Sequence, residues 1–334
     1  MRIREHPAHF VKSFYRSGVD FGMTLLDALF TPLQRLLGPK RIPYLFVLPN
    51  LLIFGIFIIV PMFLNVFYAL TGGNSFLLAD RTWVGLKNFS QLFSCGNFLD
   101  PNSCKEDLFW RAVYNTAFYV VAQVSLTVIM SLITALALNR GIKARGFFRG
   151  VFFYPVLLSP VVVALIWKWI LQDQGVLNGV LTGFGLGTMP FLENAGSAKF
   201  WVVIISVWAY MGFYTLILLA GLQAIPKELY EAGNMDGIND FQAFRYITLP
   251  LLRPTAQVVL LLAMIRAVQI FDLIYAFTGG GPGTATLFLV QYIYQNGFAS
   301  AVKRLGIASS ASLLMGGVLI LLTILQLSRE RGKH

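Results

Sequence analysis

The stretch that decides the fold reads YEAGNMDGINDFQAFRYITLPLLRP and runs from Tyr230 to Pro254. It is polar and contains two glycines, Gly233 and Gly237, yet long apolar segments precede and follow it. A helix needs about 20 apolar residues to cross a bilayer. A polar segment between two such runs is typical of a water-exposed loop that joins two membrane spans.

The composition is that of a membrane protein. Hydrophobic residues make up 57% of the 334 residues and charged residues only 12%, whereas soluble domains carry about 25% charged residues. The apolar pattern predicts an all-α, polytopic protein with an N-terminal tail at 1–43, a transmembrane domain at 44–328 and a C-terminal tail at 329–334. We place six spans at 44–70, 111–139, 150–170, 200–224, 255–278 and 305–327.

The net charge of +11 indicates an orientation in the membrane rather than a nucleic-acid partner. Most of the basic residues lie at the ends of apolar runs, in the two tails and in the second and fourth loops. Because basic loops stay in the cytoplasm, we expect both termini and the 226–254 loop there. The leucine-rich stretch at 25–37 predicts an amphipathic helix that lies in the membrane interface, not a seventh span.

Both cysteines of the chain, Cys95 and Cys104, fall in the long loop between the first two spans. The expected orientation puts this loop on the outer, oxidising side, so we predict a disulfide that closes a short loop. Two free thiols in a flexible loop are the alternative.

The residues give no sign of catalysis or of a metal site. The three histidines, His6, His9 and His334, lie near the termini, and no Gly-x-x-x-x-Gly-Lys-Ser/Thr phosphate loop is present. We therefore expect neither an enzyme nor a bound cofactor. A stand-alone secondary carrier is a further alternative, but such carriers usually bury several ionisable groups in their spans, and carboxylates are scarce here.

The 226–254 loop predicts two short helices. The first occupies 227–236 and ends at Gly237 in a left-handed conformation, and Asn239 or Asp240 caps the second. The first helix carries two glutamates, whereas a helix that lies on lipid would favour a basic face. We therefore expect it to dock on another protein.

The loop resembles the EAA loop of bacterial ABC importer permeases, whose pattern is Glu-Ala-Ala, three residues, Gly, nine residues, Ile-x-Leu-Pro. Gly233 replaces the second Ala but is also small. Further segments, at 83–89, 115–116, 148–155, 219–226 and 278–282, resemble the carbohydrate branch of these permeases. A fuller form of the match continues to Pro254. The residues to which the resemblance assigns ATPase coupling are Glu231, Ala232, Gly233, Asp236, Gly237, Ile247, Leu249 and Pro250.

The resemblance implies a subunit for sugar uptake across the bacterial inner membrane. Its implied partners are a second homologous permease, two ABC ATPase subunits that bind ATP and Mg, an extracytoplasmic solute-binding protein and membrane lipid. Helix 227–236 would be the coupling helix, with Glu231 engaging an ATPase subunit, and segments 278–282 and 292–298 would form an outer gate. Import of sn-glycerol-3-phosphate or a similar polyol derivative is the alternative.

The substrate path is predicted from polar and aromatic residues inside the spans. Arg266, Gln269 and Asp272 follow one another at three-residue steps, which would give the fifth span a polar stripe. Arg266 lies near the midplane, so it must face protein, water or substrate. It would contact substrate or form an ion pair, with Asp272 or with the partner permease. Trp208, Tyr210 and Tyr214 could stack on sugar rings or pack between helices.

Overall fold

The computed structural model describes residues 38, 42–140 and 143–331, and the chain divides into two units, Met1–Asn65 and Val66–His334. In the first unit, α1 (Ile42–Phe54) continues through a π-helical turn, Gly55–Ile59, into α2 (Val60–Ala69), which crosses the boundary. The amphipathic helix predicted at 25–37 lies outside the described residues.

The second unit is built from helices joined by short segments. Its α-helices are α3 (Lys87–Leu92), α4 (Asp107–Asn139), α5 (Arg145–Leu157), α6 (Pro160–Leu171), α7 (Val176–Gly183), α8 (Ala195–Gln223), α9 (Lys227–Met235), α10 (Asp240–Ala243), α11 (Leu249–Val268), α12 (Asp272–Phe277), α13 (Leu289–Tyr294) and α14 (Leu305–Arg331). Two 3₁₀ turns, Leu78–Asp80 and Pro101–Ser103, flank α3, and π-helical turns Phe244–Thr248 and Gln295–Ala299 precede α11 and follow α13.

Five helical stretches within the described residues are long and apolar enough to cross a membrane. A sixth span results if the pair Arg145–Leu157 and Pro160–Gly183, which bends by 97°, is counted as one. The predicted all-α class is confirmed. The five stretches are Tyr44–Ala69, Asp107–Asn139, Ala195–Gln223, Asp240–Val268 and Leu305–Gln326.

The prediction of the third span as one continuous helix at 150–170 is wrong, because the helix is interrupted at Leu158 and Ser159. Pro160 starts the next helix. A proline has no N–H to bond to the preceding turn, and it pushes the residue before it out of the helical region. Ser159 accordingly has an extended ψ of 134°.

The fifth span also differs from the prediction of 255–278. It begins at Asp240 and ends at Val268, so it is longer at one end and shorter at the other. A π-helical turn accommodates Pro250, since the N–H of Leu249 bonds to the carbonyl of Phe244. At the other end, Gln269–Phe271 leaves the helix before α12 begins.

The core of the second unit lies where α4, α8 and α11 pack together. Lipid tails are as apolar as the helix surfaces, so the hydrophobic effect does not drive helices together in a membrane. Packing and hydrogen bonds between the helices hold them together instead. Tyr119 and Tyr214 are buried, and the hydroxyl of Ser131 on α4 donates to the carbonyl of Met211 on α8 at 3.0 Å. These contacts fix α4 against α8.

The two ends of the second unit are marked by different features. We call one the disulfide end, because Cys95 and Cys104 are joined there by a disulfide. We call the other the α9 end. Helix α4 runs from one to the other, and its 33 residues span about 50 Å.

A buried carboxylate ties several segments together at the disulfide end. The side chain of Glu106 is 7% exposed and pairs with the guanidinium of Arg304, 198 residues further on. Gln91 Nε2 donates to it at 2.6 Å and the Tyr292 hydroxyl at 3.2 Å. Burial alone would raise the pKa of Glu106, but hydrogen bonds from Arg304, together with its charge, hold that pKa below its usual range.

We expect Arg304→Gln to destabilise the protein, because it leaves Glu106 buried without a countercharge. Arg304 is 38% exposed, so the cost should be about 1–3 kcal/mol, below the value for a fully buried pair. The folded pKa of Glu106 lies below the unfolded value, so the stabilisation is present above pH of about 4.3 and is lost as the pH falls further.

Thermal melting of the purified protein in detergent, at pH 7 and at several values below pH of about 4.3, measures both effects. The matched control is Lys303→Gln, which removes one charge from the adjacent residue, whose ammonium lies 5.7 Å from the ring of Phe76. Equal losses in the two variants at pH 7 would contradict the structural role of the Glu106 pair.

Candidate functional site

A cavity of about 610 Å³ opens in the second unit where the two broken spans meet. Its walls come from the end of α5, the start of α6, the middle of α8, the end of α11 and the start of α12. The lining combines apolar and polar side chains, among them Leu158, Pro160, Tyr210, Arg266, Gln269 and Asp272.

The helix breaks account for the position of this cavity. Leu158 lies in the first break and lines the cavity, as does Pro160, which follows the break. The residues of the second break, Gln269, Ile270 and Phe271, line it as well. Non-helical backbone at membrane depth is tolerated where it is buried in protein or lines a cavity. Both breaks therefore expose backbone to one shared, non-lipid space.

Arg266 rests on aromatic faces in the cavity. Its Cζ atom lies 5.2 Å from the ring centre of Tyr210 and 5.9 Å from that of Phe213. Within the part of the chain that the structure describes, the ion pairs within 4.0 Å do not include Arg266, so the expected alternative of a pair with Asp272 is not formed. The aromatic rings orient the guanidinium by cation–π attraction and leave it exposed to the cavity.

The segment that carries the predicted polar stripe is not one continuous helix, because α11 ends at Val268 and α12 begins at Asp272. The backbone break nevertheless brings Gln269 and Asp272 to the same cavity as Arg266. All three side chains are exposed.

The three aromatic residues predicted on span four separate in the structure. Tyr210 lines the cavity, as does Tyr214, whereas Trp208 packs edge to face on Trp167 with ring centres 5.7 Å apart. Residues two apart on a helix point about 200° from each other, which explains the difference. Phe213 was missed by sequence reasoning, although its three-residue step from Tyr210 indicates the same face.

Helix α5 approaches α8 very closely beside the cavity. A Cβ atom at Gly212 would lie 2.1 Å from the carbonyl oxygen of Phe152, so only glycine fits there. This contact sets the distance between two of the cavity walls.

We expect Gly212→Ala to force α5 and α8 apart and to destabilise the protein by about 1–3 kcal/mol, as overpacked cores do. The control is Gly150→Ala on α5, where a Cβ meets nothing within 4 Å. Thermal melting in detergent compares the two variants. Unchanged melting of Gly212→Ala would contradict the close approach.

At the α9 end, a short polar helix leaves the bundle and turns back. The residue after its cap, Gly237, has φ +76°, and the N–H groups of Gly237 and Ile238 bond to the carbonyls of Asn234 and Gly233. This is a Schellman cap, which glycine permits without strain. Asn239 then caps α10, since its Oδ1 accepts from the backbone N–H of Gln242 while Gln242 Oε1 accepts from the backbone N–H of Asn239.

Helix α9 is attached to the base of the fifth span. The hydroxyls of Tyr230 and Thr248 lie 2.9 Å apart, and a Cβ at Gly233 would lie 2.5 Å from Ile238 Cδ1 and 3.2 Å from Ile247 Cδ1. The small residue at position 233 therefore allows close packing of α9 on these isoleucines.

The opposite face of α9 is open. Several residues of the predicted motif are exposed on α9, in the loop after it and at the start of α11. They are Glu231, Ala232, Asp236, Gly237, Leu249 and Pro250.

One continuous rod joins α9 to the cavity. Thr248, which contacts α9, and Arg266 are 18 residues apart along this helical stretch, which corresponds to a length of about 27 Å. The α9 end and the cavity therefore share a single structural element.

The second unit combines a polar, aromatic cavity between broken spans with an exposed helix packed at the base of one of them, and this arrangement is typical of a membrane transport subunit. Residues 127–330 match the family model for the binding-protein-dependent transport system inner membrane component. The chain belongs to this family, so it is an inner-membrane permease subunit of an ABC importer, and the resemblance found in the sequence is confirmed.

Curated relatives align along most of their length. The chain is 35% identical to the trehalose/maltose transport system permease protein MalF of Thermococcus litoralis, over 87% of this chain and 94% of that one. It is 31% identical to the arabinooligosaccharides transport system permease protein AraP of Bacillus subtilis, over 86% and 89%.

A solved structure shares the fold. It is that of a bacterial ABC transporter involved in the import of the acidic polysaccharide alginate, with a TM-score of 0.74 and 24% identity. The match covers 92% of this chain and 99% of that one, so it extends over nearly the whole of both folds.

Proposed function

We propose that this permease imports a sugar or oligosaccharide and that the cavity around Arg266 is its translocation path. The observation that carries the proposal is the joint presence of polar and aromatic side chains in one membrane-embedded cavity. The names of the relatives, which refer to trehalose, maltose and arabinooligosaccharides, support the substrate class.

The cavity suits the two surfaces of a sugar. Arg266 donates, Asp272 accepts and Gln269 does both, which matches hydroxyl groups, while Tyr210 and Phe213 present apolar ring faces. The opposite charges of Arg266 and Asp272 favour a neutral sugar.

An anionic sugar or polyol phosphate is the second candidate. It is favoured by the exposed guanidinium of Arg266, which forms no ion pair within 4.0 Å among the described residues and could bind a carboxylate or phosphate in bidentate geometry.

The orientation follows from the distribution of basic residues. The α9 end and both termini lie in the cytoplasm, and the disulfide end faces outward. There it meets the solute-binding protein that delivers the sugar, and a second permease subunit completes the path.

Helix α9 is the coupling helix in this proposal. Its exposed face, with Glu231, docks on one of two ABC ATPase subunits, which bind ATP and Mg. Its other face holds the fifth span through Tyr230 and Gly233. A displacement of α9 is therefore passed along α11 to the cavity.

We expect Glu231→Ala to lower sugar-stimulated ATP hydrolysis and uptake at least tenfold, because it removes the charge that engages the ATPase. The measurement uses the complex of both permeases, both ATPases and the binding protein in nanodiscs, with a pull-down of the ATPase subunit. Glu228→Ala is the control, since Glu228 is exposed on the same helix but lies outside the motif.

If Glu231→Ala retains full uptake and stimulated hydrolysis, the coupling assignment is wrong. If both variants lose activity equally, the effect belongs to the acidic helix as a whole, and the specific role of Glu231 is contradicted.

We expect Arg266→Gln to slow uptake about 10- to 100-fold, because a hydrogen bond to a charged group contributes about 1.5–3 kcal/mol. Uptake of the sugar that the cognate binding protein retains is measured in proteoliposomes. Arg253→Gln on the same helix is the control, since Arg253 is exposed at the α9 end. Equal uptake by the two variants would place Arg266 outside the path.

A further inference from the structure

Four aromatic rings form a continuous ladder beside the cavity. The ring centre of Phe271 lies 5.1 Å from that of Tyr275 and 5.0 Å from that of Tyr294. Tyr275 and Tyr294 are 5.5 Å apart, and Phe298 stacks on Tyr294 at 6.1 Å with an angle of 26°. We call this set the aromatic ladder.

The ladder runs from the cavity wall to the surface. Phe271 lines the cavity, whereas Tyr275 is 43% exposed and Phe298 is 63% exposed. The far end lies on the disulfide side of the cavity, because Asn296, next to the last rings, bonds to Arg304. The aromatic ladder therefore connects a residue of the cavity wall to rings that are exposed at the surface.

The backbone under the ladder is held in place. The Asn115 side chain of α4 donates to the carbonyls of Thr284 and Leu287, in the loop between the two segments that carry the rings. The Thr278 and Thr286 hydroxyls lie 2.7 Å apart and close the same loop. Rings on a fixed backbone bind a ligand with little loss of entropy.

The ladder differs from an interfacial aromatic belt. A belt places its rings against lipid headgroups, whereas this set begins in the wall of a polar cavity, next to Asp272. The exposed parts of Tyr275 and Phe298, with tyrosine hydroxyls nearby, offer an apolar surface bordered by hydrogen-bonding groups, which is the combination that a pyranose or furanose ring requires.

We propose that the aromatic ladder is a second sugar subsite, which receives a sugar ring on the outer side before it enters the Arg266 cavity. This inference rests on the proposed sugar-import function. It adds Tyr275, Tyr294 and Phe298 as residues that contact substrate, and it requires a ring-shaped ligand rather than an open-chain polyol.

The test separates ring stacking from simple apolar packing. Phe298→Leu keeps an apolar side chain but removes the ring, and Phe298→Trp restores a ring. Phe184→Leu is the control, because Phe184 is 80% exposed but takes no part in the ladder. The complete transporter with both permeases, the ATPases and the binding protein is reconstituted in proteoliposomes, and uptake of labelled maltose, trehalose and arabinotriose is measured.

We expect Phe298→Leu to slow uptake roughly 3- to 10-fold, in line with the contribution of one aromatic pair, and Phe298→Trp to remain close to the wild type. Saturation-transfer NMR on the detergent-solubilised complex without binding protein should show transfer from aromatic protons to the sugar, reduced in Phe298→Leu. Phe184→Leu should change neither measurement.

The outcomes are distinguishable. If the wild type transports a sugar and Phe298→Leu matches Phe184→Leu in both measurements, the subsite is wrong while the import function stands. Loss of uptake in Phe298→Trp as well as in Phe298→Leu would also overturn the subsite, because a ring would then not suffice. If the wild type takes up neither these sugars nor any sugar that the cognate binding protein retains, the proposed function fails and the subsite with it.

Discussion

The structure depends on one constraint, which is that every backbone polar group at membrane depth needs a partner. The chain meets it with long helices and departs from them in few places. Where it departs, neighbouring groups compensate: the N–H of Leu158 bonds to Pro155, that of Gln269 bonds to Ile265, and Asn115 holds the loop after α12. These departures surround the cavity and the aromatic ladder, so the irregular backbone and the candidate site coincide.

The same constraint explains why the fifth span matters. It carries two prolines, at positions 250 and 254, yet remains helical because a π-helical turn absorbs the first of them. An unbroken rod therefore extends from the contact with Tyr230 to Arg266. In the proposed mechanism this unbroken helix transmits a movement of the docked ATPase to a site about 27 Å away.

Much of the fold could be predicted from sequence, because apolar length and basic residues are local signals. Residue spacing over a short range predicts α9, the glycine that caps it and the motif around it. The bend at Pro160 was also visible in principle, since a proline after Ser159 argues against a continuous span. That signal was outweighed by the length of the apolar run.

What could not be predicted depends on residues far apart in the chain. Nothing local pairs Glu106 with Arg304 or brings Pro155 beside Arg266, and the contact of Gly212 with Phe152 arises only when two helices pack. The sequence indicates only a polar stripe of Arg266, Gln269 and Asp272 on one span as a candidate substrate path, and the aromatic wall of the cavity depends on which face of α8 points inward. The inward face of α8 carries Phe213 and does not carry Trp208.

The central claim is that the Arg266 cavity is the path and that ATP on the partner subunits changes which side it opens to. Gln269→Cys tests this directly, because both native cysteines are disulfide-bonded and the new thiol is the single target. Labelling by a membrane-impermeant maleimide is measured from each side of proteoliposomes, with and without a non-hydrolysable ATP analogue. We expect the accessible side to switch when the nucleotide binds. Labelling from one side only, unchanged by nucleotide, would contradict it.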